Sequence, residues 1–131
     1  MSDDQTTAYV LATQTYFEDL KQVAAQLAGL LVLEASGAEP DHPMLASARN
    51  AYQNAVDGLN SVRVPLRARE HHRRLLAAAA KLNESLQGSG DPLVPLENAY
   101  AELRAASRTL PGFPMISFEH GCCAHTGKSA A

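Results

Sequence analysis

Asn60-Ser61-Val62-Arg63-Val64-Pro65-Leu66-Arg67-Ala68-Arg69 is the stretch on which the fold turns. Apolar residues recur at helical spacing on both sides of it, so the question is whether one helix runs through Pro65 or two meet there. Proline has no N–H and its ring collides with the preceding turn, which favours a break, with one helix ending near Val64 and another starting after it. Against a break, no Gly, Asn or Asp stands beside Pro65, and Arg67 and Arg69 would face the positive end of a new helix dipole. A single kinked helix from Asp41 to Gln87 would be roughly 70 Å long. Each half would then have one partner helix unless the chain dimerised, so compactness favours the break.

Upstream, the stripe Leu45, Ala48, Tyr52, Ala55, Val56, Leu59 and Val62 is apolar, with Arg49, Gln53, Asn54, Asp57 and Asn60 on the opposite side. Asp41 is the expected N-cap of this second segment, and Pro43 falls in its first turn, where a missing N–H costs nothing. Before it, Tyr9, Tyr16, Leu20, Val23, Leu27 and Leu30 mark a long first helix from about Thr7 to Ser36, thickened by Val10, Phe17, Ala24 and Leu31. Thr6 or Thr7 is its expected N-cap, and Gly37 and Pro40 its stop.

Downstream, Ala68, His72, Leu75, Ala79, Leu82 and Leu86 share a face until Gly88-Ser89-Gly90. Asp91-Pro92 then opens a fourth segment carrying Leu93, Leu96, Tyr100, Leu103, Ala106 and Leu110, stopped by Pro111-Gly112. Four amphipathic segments with short connections predict an all-α antiparallel four-helix bundle over residues 1–112. The alternative is three helices, the central one kinked at Pro65. Composition agrees with helices. Alanine is abundant, there is no Trp, and aromatics make up 5% of the chain, whereas strands favour β-branched and aromatic residues.

The residues after the bundle, 113–131, differ in kind. Two of the three phenylalanines fall in Phe113-Pro114-Met115-Ile116-Ser117-Phe118-Glu119, an apolar piece expected to dock on the bundle. Behind it stands His120-Gly121-Cys122-Cys123-Ala124-His125, which holds both cysteines. Thiolate and imidazole are the donors preferred by zinc and copper(I). His120, Cys122, Cys123 and His125 are therefore the candidate metal ligands, the metal ion being the expected cofactor. Adjacent side chains diverge in an extended backbone, so two or three of these would bind and the shell would be completed from the bundle, with His72 as its candidate, or from a second chain. The same cysteines support a thiol redox reading, because a neighbouring histidinium lowers a thiol pKa and a disulfide between vicinal cysteines is strained.

Other motifs exclude more than they suggest. His72 is placed on the apolar stripe and His71 at its solvated border. Arg63, Arg67, Arg69, Arg73 and Arg74 form a basic cluster with Glu70 able to pair at helical spacing. This cluster makes a non-catalytic interaction module the alternative function, its partner a protein or a second copy of the chain. Nucleic acid does not fit an acidic chain of net charge −3 in which no aromatic interleaves with these arginines. The longest apolar run, Val23 to Leu33, is too short to span a bilayer, and the acidic start Met1-Ser2-Asp3-Asp4 is unlike a secretory leader, so a cytoplasmic location and no membrane are expected. No phosphate-binding, dinucleotide, zinc-protease or nucleophile-elbow motif is present, and no catalytic residue can be named.

Overall fold

The computed structural model describes residues 2–35, 37, 43–87 and 90–110, apart from the side chains at 2, 3 and 35. The described residues form four helices: α1 (Ser2–Ala35), α2 (Pro43–Ser61), α3 (Arg69–Gln87) and α4 (Leu93–Ala106), with a 3₁₀ turn at Leu66–Ala68. The fold is all-α. The Asp41 cap, the Gly88-Ser89 stop and the whole segment 113–131, with His120, Cys122, Cys123 and His125, lie outside the described residues.

Pro65 separates two helices. α2 ends at Ser61, the residue whose carbonyl a helical residue 65 would need to satisfy, and proline cannot supply that N–H. Pro65 itself is extended (φ −69°, ψ 157°), and its carbonyl accepts from the Ala68 N–H at 2.9 Å to start the 3₁₀ turn. The helix thus stops three residues sooner than Val64, and the Ser61 hydroxyl donates to the Gly58 carbonyl at 2.9 Å.

Two further expectations are corrected. Thr6 is not a cap. α1 already begins at Ser2, Thr6 is buried within it, and Asp4 falls in the first turn, where negative charge suits the positive end of the dipole. α4 stops at Ala106 instead of running to Leu110. The Ser107 and Thr109 hydroxyls donate back to the Arg104 and Ala106 carbonyls at 2.8 Å, which satisfies the helix end while Leu110 still packs into the core. At the other boundaries local chemistry acts as expected. Gly37 closes α1 at positive φ (91°), its N–H donating to Glu34, and the Asp91 carboxylate accepts from the Leu93 N–H at 3.0 Å.

The packing is of two helical hairpins, α1 on α2 and α3 on α4, which then close on each other. Tyr16, near the middle of α1, meets Gly58 near the end of α2, and Gln26 further along α1 donates to Ser47 near the start of α2 at 3.0 Å, so α2 runs opposite to α1. Arg74 meets Glu102, and Ser85 meets Pro92, so α4 runs opposite to α3. Tyr9 meets His71, which sets α1 and α3 parallel. The core is small-residue rich. Ala24, Ala48, Ala55, Ala78 and Ala99 let the helices approach closely around Phe17, Leu20, Leu59, Leu75, Leu82 and Leu103. None of the described helices is long and apolar enough to cross a membrane.

Candidate functional site

The polar centre of the bundle lies where the first turns of α3 face the start of α1. His71 is 1% exposed and Tyr9 is 2% exposed. The Tyr9 hydroxyl lies 2.8 Å from His71 Nδ1 and 3.4 Å from His72 Nδ1, and both imidazoles stand edge-on to its ring. Helix packing forces this meeting. Tyr9 is on the apolar stripe of α1, and a phenol buried there needs a partner for its hydroxyl.

The sequence placed His72 inside and His71 at the border. The structure reverses them. His71 stands four residues before Leu75 and His72 three before it, so either could continue the stripe, and the position of the Tyr9 hydroxyl selects His71. Tyr9 also differs from the other tyrosines of the stripes. Tyr16, Tyr52 and Tyr100 are half-buried, as rim tyrosines should be, whereas Tyr9 sits wholly inside.

Burial controls the protonation of this cluster. It holds the Tyr9 phenol well above its ordinary value, so the hydroxyl keeps its proton. Desolvation, and secondly the charge of His72, brings His71 down to about 4, while desolvation lowers His72. Both imidazoles are therefore neutral near pH 7. The assignment that satisfies both contacts has Tyr9 donate to His71 Nδ1 and accept from His72 Nδ1–H. His71 Nε2 is then left buried without a hydrogen-bond partner among the described residues.

The arginine cluster is partly absorbed by local pairing. Glu70 accepts from Arg73 and Arg74, and Arg74 reaches across to Glu102 of α4 at 2.9 Å. These hydrogen bonds, that of Arg73 first, hold the Glu70 carboxyl below its usual range. Arg63 has a different setting. It borders an apolar groove of about 280 Å³ between Gln5, Ala8, Tyr9 and Ala12 of α1 and the connection Val62 to Pro65. Sequence reasoning missed this groove, because its two walls are at least fifty residues apart and only the small size of Ala8 and Ala12 hints at it.

Of the expected metal ligands, His72 is the one within the described residues; it is half-buried beside His71. Among the described residues no group of three or more His, Cys, Asp or Glu side chains is placed to hold a metal ion. Comparison of the chain with family models, with curated proteins and with solved structures finds no match.

Proposed function

We propose that the protein binds a soft or borderline metal ion, zinc or copper(I), through its C-terminal segment. Cys122 and Cys123 are the first ligands, His120 or His125 adds an imidazole, and His72 is the contribution of the bundle. The observation that carries this reading is the concentration of four thiol and imidazole donors within six residues of a chain that has no other cysteine. The setting of His72 supports it. With Nδ1 turned to Tyr9, the partly exposed ring leaves Nε2 as the coordinating nitrogen, and a ring nitrogen held by a second group is the usual arrangement of a histidine ligand. A reducing, cytoplasmic compartment would keep both thiols available.

The test is metal content and free-thiol count on untagged protein purified anaerobically, beside Cys122→Ser/Cys123→Ser. Near-stoichiometric metal, lost in the variant with helical circular dichroism unchanged, is the expected result. Metal retained by the variant would overturn the proposal. His72→Ala is expected to weaken binding without abolishing it.

One observation favours a second reading, a protein-interaction module. Leu66, in the 3₁₀ turn, is 75% exposed among Arg63, Arg67 and Arg69, an apolar tip in a basic surround. A complex that forms equally well with the cysteines replaced and is lost in Leu66→Glu would favour it.

A further inference from the structure

The groove beside Tyr9 follows from the break at Pro65. Tyr16 of α1 faces Gly58, and α2 ends less than one turn later, at Ser61. α1 begins at Ser2, so about three of its turns extend past the end of α2. There its neighbour is the connection Val62 to Pro65, a non-helical segment that covers less of α1 than a helix would. Ala8 and Ala12, one turn apart and exposed, are too short to close the gap. What remains is about 280 Å³ of space with hydrocarbon on both sides. Few polar groups reach it. Tyr9 gives its proton to His71, which leaves no hydrogen for a ligand, and Gln5 supplies a neutral amide. Arg63 is the charged group, and it makes no hydrogen bond or ion pair among the described residues, Asp4 one turn before Ala8 included. Arg73 and Arg74, by contrast, are held by Glu70 and Glu102. Arg67 and Arg69 are exposed in the residues that follow and add to the positive potential met by an anion.

We infer that the groove binds a small free carboxylic acid with an apolar body, its carboxylate on the Arg63 guanidinium and its hydrocarbon between Ala8, Ala12 and Val62. A guanidinium presents two parallel N–H groups to a carboxylate, so an unpaired one beside apolar walls matches a ligand with a single anionic end. Polar groups along the body are selected against. A hydroxyl or amide laid on these walls would lose its water and find no partner. Size narrows the class further. At ~30 Å³ for each displaced water the space holds on the order of nine waters, which suits a ligand of about ten non-hydrogen atoms. The inference rests on the groove and on Arg63 and is independent of the metal reading.

The test titrates ¹⁵N-labelled protein, kept in chelator, with octanoate below its micelle concentration and with octanol, the same chain without the charge. Octanoate is expected to shift the amide signals of Ala8, Ala12, Val62 and Arg63 along one saturable curve, with those of Val32 and Val94 at the far end unmoved. Arg63→Gln is expected to weaken octanoate about fivefold and to leave octanol unchanged. Ala12→Leu, which fills the groove with another good helix former, is expected to remove both responses. Both positions are exposed, so the variants should keep the helical circular dichroism of the parent. Shifts spread over the whole surface, shifts that never saturate, or octanoate binding insensitive to Arg63→Gln or to Ala12→Leu would overturn the inference. So would movement of the same amides on dilution of the free protein, which would make the occupant a second copy.

Discussion

Gly58 supplies the sharpest test of how the first hairpin packs. It is buried in α2, and the Tyr16 ring lies directly over it. A Cβ at position 58 would stand 2.6 Å from Tyr16 Cδ1 and closer still to Cε1 and Cζ. Gly58→Ala therefore has two opposed effects. Alanine in a helix interior is favoured over glycine by about 1 kcal/mol. Forcing the ring off the helix costs about 1–3 kcal/mol as overpacking and lost contact. The net expectation is a loss of up to about 2 kcal/mol in the parent. In a Tyr16→Ala background the obstruction is gone, and the same substitution should stabilise by about 1 kcal/mol. The two changes are thus coupled by about 1–3 kcal/mol, with a reversal of sign. Urea denaturation followed by circular dichroism on the four proteins measures this, provided the m-values agree. If Gly58→Ala stabilised both backgrounds equally, the close approach of Tyr16 would be refuted.

Two further expectations concern polar groups. His71 is held at about 4 in the fold against 6.5 in the unfolded chain, so between those values the unfolded chain binds the extra proton and stability falls as pH is lowered. At ~1.4 kcal/mol per pKa unit the contribution, fully present above pH 6.5, declines by about 3 kcal/mol by pH 4. His71→Gln should flatten that part of the profile in urea titrations run in chelator, and an unchanged slope would count against a buried neutral imidazole. Ser85→Ala removes the hydroxyl that donates to the Pro92 carbonyl at 3.0 Å across the α3–α4 turn, and is expected to lower stability by about 1 kcal/mol in the same assay; no loss would mean that water replaces the contact.

What the sequence determined by itself was local. Pro65 ends a helix because its missing N–H and its ring act on its own neighbours, and Gly37 closes α1 because it tolerates positive φ. The four stripes are legible for the same reason, since a period near 3.6 belongs to one helix at a time. So was the arginine pairing, with Glu70 three and four residues from its partners. The Cys-Cys/His cluster was legible too, as composition and spacing. Tertiary structure decided everything that depended on a partner from another helix. His71 and His72 are adjacent and flank one stripe, and the stripe alone does not rank them. The choice belongs to the Tyr9 hydroxyl, 62 residues away, which needs a buried partner and finds the nearer imidazole. The same holds for Tyr16 on Gly58 and for the groove between Ala8 and Val62. Each arises where one helix meets a surface formed by a distant part of the chain, and periodicity within a segment carries no record of which surface that is.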